Sequence, residues 1–239
     1  MVTDIRYSLV VFGQFEDITP NRDLVQQFSN LMTQYDMESG ISIETEFTPQ
    51  GIRQFSGLRL CAKNSSLIVE FKRGSLEISY VNSNINVVDK YDYSNFKSFI
   101  VSVLTAEPLK NRRFKRIGFI HHIIMEGINH SVAAKKMVVI PFYDNLKMRD
   151  DWSIVWPAAT ELSDKTLVNV HTKISRGKRM LLRDSKQEVL DGIDLVFDVN
   201  TVRENAEYRY STASLLDMCD KLHQKEVEVM ECVTNLIAQ

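Results

Sequence analysis

The chain is poor in the residues that build loop-rich, disulfide-linked or membrane-spanning proteins. Its 239 residues include only 9 Gly, 5 Pro and 3 Cys. The cysteines, Cys61, Cys219 and Cys232, form no C-x-x-C pair, which fits a reducing compartment better than a disulfide framework. No apolar run approaches the ~18 residues of a membrane helix, and Leu9–Phe12 is too short for a signal-peptide core. We therefore predict a cytoplasmic protein that does not contact a membrane.

Recognisable catalytic motifs are also absent. The sequence has no Gly-rich phosphate loop, no G-x-S-x-G elbow and no Cys/His spacing typical of zinc sites. We therefore expect no cofactor and no metal, and we favour a protein that is not an enzyme. The remaining enzymatic hypothesis is a site assembled from distant residues around His121, His130 or His171. His121 and His122 point to opposite faces if they lie on a strand, so they do not jointly bind one metal ion.

The charge is divided into blocks along the chain, although the net charge is only −2. Residues 1–109 hold 9 Lys or Arg against 13 Asp or Glu, residues 110–186 hold 16 against 7, and residues 187–239 hold 4 against 11. Such asymmetry can mark a surface that binds a partner. The alternative is that the acidic C-terminal block packs near the basic middle block and offsets it.

The order of predicted elements indicates an α+β fold. Each half reads as a strand, a helix or loop, several antiparallel strands and a closing helix. The alternating segment Ile41–Thr48 opens the first antiparallel meander, and a helix at Tyr93–Ala106 closes that half. We predict two antiparallel sheets with helices packed on one face of each, divided into residues 1–109 and 110–239. The shared element order raises the further possibility that the two halves are related.

A long amphipathic helix is predicted at Ser211–Ala238, with an apolar stripe that Glu226 interrupts. At ~1.5 Å per residue it would be roughly 40 Å long, which exceeds what one small sheet readily covers. Part of the stripe is therefore a candidate contact with another protein or with a second copy of the chain. The predicted partner-binding residues are Leu222, Val229, Met230, Val233, Leu236 and Ile237.

Two basic segments, 110–116 and 173–183, provide an alternative site, because neutralising phosphates is the main source of affinity for nucleic acids. A sequence pI near 6.2 argues against a dedicated nucleic-acid-binding protein. The predicted nucleic-acid-binding residues are Arg112, Arg113, Lys115, Arg116, Arg176, Lys178 and Arg179.

Three short motifs carry a family resemblance. Tyr93-Ser94-Asn95-Phe96 opens a helix, Arg116-Ile117-Gly118 opens a strand, and Leu222-His223 lies in the terminal helix. In this order the motifs resemble a sporadically distributed, uncharacterised family of bacterial proteins of similar size. This sequence departs from the family after Gly118, where His121 replaces a basic or aromatic residue. The resemblance implies an α+β fold and a bacterial or phage-related origin, and it implies no activity.

Together these features predict a non-enzymatic binding or accessory protein that acts through protein–protein contacts. The sporadic distribution of the family that it resembles suggests a bacterial defence or phage-conflict system. The alternative prediction is a nucleic-acid-binding protein that uses the two basic segments.

Overall fold

Nine antiparallel strands in the described residues form one continuous sheet. The computed structural model describes residues 2–82, 92–137, 152–183, 186–202 and 207–238. The strand order across the sheet is β2-β3-β4-β5-β1-β6-β9-β8-β7. The strands are β1 (Val2–Phe12), β2 (Met37–Thr48), β3 (Gly51–Ala62), β4 (Leu67–Phe71), β5 (Ser75–Val81), β6 (Arg116–Glu126), β7 (Ser153–Glu161), β8 (Leu167–Arg183) and β9 (Lys186–Thr201).

The prediction of two sheets is wrong, because the first strands of the two halves pair with each other. β1 and β6 run antiparallel from the pair Val2–Met125 to the pair Phe12–Arg116, with a shift in register between Asp4 and Arg6. Each of these strands is followed by a helix and by a meander that returns to its side, so one sheet spans both halves. The sheet therefore continues across the predicted division between residues 1–109 and 110–239.

All five helices described lie on one face of the sheet. Side chains that point to that face from β1 and β6, such as Leu9 and Phe119, are completely buried. The opposite face is polar, and on it Arg6 bonds to Glu77 while the hydroxyls of Ser8 and Ser79 bond to each other. The helices are α1 (Arg22–Gln27), α2 (Ser29–Gln34), α3 (Tyr93–Leu104), α4 (His130–Met137) and α5 (Thr212–Ala238).

The predicted terminal helix is confirmed as α5, and its apolar stripe packs on the chain's own sheet. Leu215 and Leu222 join the core that β1, β5 and β6 share with α3. Val233 and Ile237 join a second cluster, with β6, β8, β9 and α4. Because the sheet has nine strands rather than the few of a half-chain, it covers the length of the helix.

Two glycines mark the points where the sheet narrows to a pair of strands. β3 pairs with β4 only at Arg59–Cys61, and beyond this point β2 and β3 continue alone. A Cβ atom on Gly57 would lie 1.9 Å from the carbonyl oxygen of Phe71, so the close approach of β3 and β4 requires glycine. Gly192 has the same role at the end of β6, where a Cβ atom would lie 2.1 Å from the carbonyl oxygen of Met125. We call the part of β2 and β3 that continues alone, residues 41–58, the apolar ribbon.

Candidate functional site

A row of ionisable side chains is buried between α5 and the centre of the sheet. His121, on β6, is 3% exposed and lies between two carboxylates. Its Nδ1 lies 2.8 Å from Oε1 of Glu226, and its Nε2 lies 2.9 Å from Oδ1 of Asp4. Tyr7, its neighbour on β1, stacks on the imidazole with ring centroids 4.2 Å apart. Glu226, which interrupts the apolar stripe of α5, is completely buried and has His121 as its partner.

A second histidine extends this row of side chains towards α3. Nδ1 of His223 lies 3.4 Å from Oε2 of Glu226 without forming a hydrogen bond. Its ring stacks on Tyr93, with centroids 3.6 Å apart, and the Tyr93 hydroxyl donates a hydrogen bond to Asp220. The motif residues Tyr93 and His223 thus meet in space, although the family resemblance itself stays a prediction.

The pKa values of the buried residues His121 and Glu226 favour an ion pair between them. Burial alone lowers the pKa of His121, but its hydrogen bonds to Asp4 and Glu226 outweigh burial and raise it to about 9. Burial raises the pKa of Glu226, but the hydrogen bond from His121 and the nearby His223 outweigh this effect and lower it. At neutral pH His121 is therefore a cation that donates a hydrogen bond to each carboxylate.

Protonation of His121 makes stability depend on pH. Its pKa rises from 6.5 to about 9 on folding, so its contribution is complete below pH 6.5 and is lost as the pH rises towards 9. By linkage, we expect the free energy of unfolding to fall by about 2 kcal/mol between pH 6.5 and 8.5. Urea unfolding across this range checks the prediction. His121→Gln should remove most of the slope, and His171→Gln, at an exposed position on β8, should retain it. Equal slopes in the wild type and His121→Gln would contradict this assignment.

His121 and Glu226 form an ion pair between β6 and α5. His130 lies on α4 and His171 on β8, so the histidines of the enzymatic hypothesis do not converge on His121. His122 points away from His121, as predicted for a strand, and its Nε2 lies 3.4 Å from Oδ1 of Asp194 on the polar face. In the part of the chain that the structure describes, no group of three or more His, Cys, Asp or Glu side chains could hold a metal ion.

Most of the predicted partner-binding residues on α5 face inward. Leu222, Val233 and Ile237 are buried. Val229 and Met230 are partly buried and pack against the core clusters. Only Leu236 is exposed, at 46%. These residues attach α5 to its own sheet, so little of the stripe remains for a partner.

The two basic segments lie at opposite ends of β9. Arg116 bonds to Asn200 and to the carbonyl oxygen of Thr201, whereas Arg176 pairs with Ile193 across the strands. Seven residues of a strand at ~3.3 Å each separate the two positions by roughly 23 Å. The structure therefore does not join the two segments into one surface.

Several basic side chains of these segments already have partners within the chain. Arg112 bonds to Asp17 and to two backbone carbonyls, and the Nζ of Lys115 lies 4.7 Å from the ring centroid of Tyr208. Arg176 bonds to Asp191. Arg113 and Lys178 are exposed, and Arg179 lies on β8 opposite Leu190.

The apolar ribbon carries four large hydrophobic side chains that are exposed to solvent. Ile41, Ile43 and Ile52 are 60%, 65% and 65% exposed, and Phe47 is 80% exposed. Ile41, Ile43 and Phe47 alternate along β2, and Ile52 lies directly opposite Phe47 on β3, so all four share one face. Alternation in Ile41–Thr48 predicted a strand, which is confirmed, but gave no sign that its apolar side faces solvent.

No match is found among protein-family models, curated proteins or solved structures. None of the helices described is both long and apolar enough to cross a membrane.

The other face of the apolar ribbon contacts Arg73, in the turn between β4 and β5. Its backbone N–H bonds to Glu44, its Nε lies 2.7 Å from Glu16, and its Nη1 lies 3.3 Å from Glu46. Ser42 donates a further hydrogen bond to Glu70 across β3. These contacts engage the charged face of the ribbon, and its apolar face is turned to solvent.

Proposed function

We propose that this chain is a non-enzymatic binding protein that acts through protein–protein contacts made by the apolar ribbon. The supporting observation is the group formed by Ile41, Ile43, Phe47 and Ile52, all at least 60% exposed on one face. Exposed apolar side chains gathered on one face in this way mark interaction surfaces on proteins. In this proposal the contact element is the ribbon rather than α5, whose stripe is largely used within the fold.

The contacts of Arg73 with the charged face of the ribbon add to this support. Binding is weakened when a mobile segment must be ordered, and a preorganised surface avoids that cost. Arg73 contacts Glu44 and Glu46 on the charged face of the ribbon, and these contacts favour the two-stranded conformation before a partner arrives. A cytoplasmic location and a role in bacterial defence or phage conflict remain predictions from the sequence.

The nucleic-acid alternative receives less support from the geometry. Its two basic segments are separated along β9, and Arg112, Arg116 and Arg176 are engaged within the chain. Affinity for nucleic acid would require several phosphate contacts at one surface. The alternative stays a prediction, and a salt-dependent binding assay with DNA and RNA would test it.

Photo-cross-linking at Phe47 tests the proposed function. A benzoylphenylalanine residue is introduced at position 47, and in a separate chain at Val155 as the control. Val155 is 55% exposed on β7, at the opposite edge of the sheet. We expect irradiation of cells that produce the protein to give discrete protein adducts at position 47, because a contact surface holds its partner within reach of the cross-linker.

The control at Val155 helps to define which results would overturn the proposal. At Val155 we expect no discrete adduct. Absence of any adduct at position 47, or the same adducts in similar yield at both positions, would overturn the proposal.

A further inference from the structure

We propose that the apolar ribbon of one chain packs face to face against the same ribbon of a second copy, giving a two-fold symmetric dimer. This inference rests on the proposed function, because it names the partner of the same surface. A symmetric contact requires a surface that is complementary to itself. The charge, area and shape of the ribbon meet this requirement.

The apolar face of the ribbon carries no charged side chain. Alternation and cross-strand pairing place eight residues on this face, and the ionisable residues Glu44, Glu46 and Arg53 all lie on the other face. A second copy therefore brings no like charges together. The seven exposed residues are Ile41, Ile43, Thr45, Phe47, Ile52, Gln54 and Ser56, and the eighth, Leu58, is buried in the core of its own chain.

Another exposed apolar pair, on β8 and β9, lacks this self-complementarity. Met180 and Val189 are 65% and 62% exposed and lie opposite each other on β8 and β9. Lys178 shares their face, because it lies two residues before Met180 on the same strand. Asp191 lies opposite Lys178, with its Oδ2 3.9 Å from the Lys178 Nζ, so a contact through this face would bury charged side chains at a cost in free energy.

The area of the ribbon is in the range that a dimer needs. The exposed fractions of Ile41, Ile43, Phe47 and Ile52 correspond to roughly 500 Å² of apolar surface, if a large apolar side chain exposes somewhat under 200 Å². A specific interface buries about 800 Å² on each partner. The polar side chains of Thr45, Gln54 and Ser56 on the same face supply further area.

The shape of the ribbon also suits this contact. Residues 41–48 of β2 extend roughly 25 Å at ~3.3 Å per residue, and β3 pairs with β4 only at Arg59–Cys61. Two such ribbons placed face to face form a small β-sandwich, with the aligned packing that two-layer sheets adopt. The carboxylates that contact Arg73 then lie on the outside of this sandwich.

Sedimentation velocity over about 1–100 µM protein tests the dimer. We expect the wild type to shift from monomer to dimer with concentration. Phe47→Glu and Ile52→Glu should each raise the dimer dissociation constant at least about 100-fold, because each places two unpaired carboxylates in an apolar interface. Val155→Glu and Met180→Glu, at exposed apolar positions outside the ribbon, should behave as the wild type.

The outcomes separate this inference from the proposed function. A wild type that stays monomeric at 100 µM while the cross-linker at position 47 captures a different protein would overturn the dimer and leave the proposed function standing. A monomer with no capture at position 47 would overturn both. A dimer that Met180→Glu disrupts and Phe47→Glu leaves intact would also overturn the inference. Urea unfolding of both ribbon variants verifies that they are folded.

Discussion

Glu226→Ala is expected to lower the free energy of unfolding by about 3 kcal/mol at pH 7. The Glu226 side chain is completely buried, and its Oε1 accepts a hydrogen bond from the protonated His121. Removing one partner of a buried ion pair leaves the other charge uncompensated, which typically costs about 3–5 kcal/mol. Asp4 remains beside His121 and places the expected loss at the lower end of this range. Urea unfolding at fixed pH measures the change.

Glu228→Ala provides the matched control on the same helix. Glu228 is 53% exposed and forms an ion pair with Lys225, so its removal should change the free energy of unfolding by no more than about 0.5 kcal/mol. Similar decreases in the free energy of unfolding for the two variants would show that the buried ion pair of Glu226 stabilises the fold no more than an exposed one. Glu226→Gln, which keeps a hydrogen-bond acceptor but removes the charge, should fall between the two.

Gly57→Ala is expected to destabilise the fold by about 2–3 kcal/mol, which is typical of a side chain forced into filled space. A Cβ atom at this position would lie 1.9 Å from the carbonyl oxygen of Phe71, and backbone cannot yield as a flexible side chain does. The main consequence is a displacement of β3 from β4 where the apolar ribbon begins. The unfolding free energy and the sedimentation behaviour of the variant together test this effect.

Gly40→Ala is the corresponding control on β2. No heavy atom lies within 4 Å of the position that its Cβ atom would occupy. Since alanine loses less backbone entropy than glycine on folding, this variant should be neutral or more stable by roughly 0.5–1 kcal/mol. Equal losses for the two substitutions would indicate that Gly57 is not held by a close strand contact.

Local sequence patterns predicted many of the elements but not how the sheet is joined. The alternation in Ile41–Thr48 and the helical spacing after Tyr93 are each visible within a dozen residues. The pairing of β1 with β6 joins residues more than a hundred positions apart, and hydrophobic alternation does not specify which strand is a neighbour. For this reason the sequence suggested two sheets where the chain forms one.

The buried ion pair left a trace in the sequence that was not recognised as one feature. Glu226 breaks the apolar stripe of a helix, and His121 stands within an apolar strand. Each is a polar residue at a position that should be buried, and buried charges need partners. Pairing these two exceptions with each other would have predicted the contact between α5 and β6. The exposed face of the ribbon left no comparable trace, because an alternating strand has the same pattern whether its apolar side is covered or not.

The most direct test of the ribbon as the contact surface is cross-linking at position 47 in two chains that differ only at Ile52. Ile52 lies opposite position 47 on the neighbouring strand and is 65% exposed, so Ile52→Glu changes the apolar face without disturbing the core. We expect discrete adducts in the chain with Ile52 and at least about a tenfold lower yield in the chain with Ile52→Glu, since burying an unpaired charge costs more than the roughly 1.4 kcal/mol of a tenfold change. The same yield in both chains would contradict the ribbon as the contact surface.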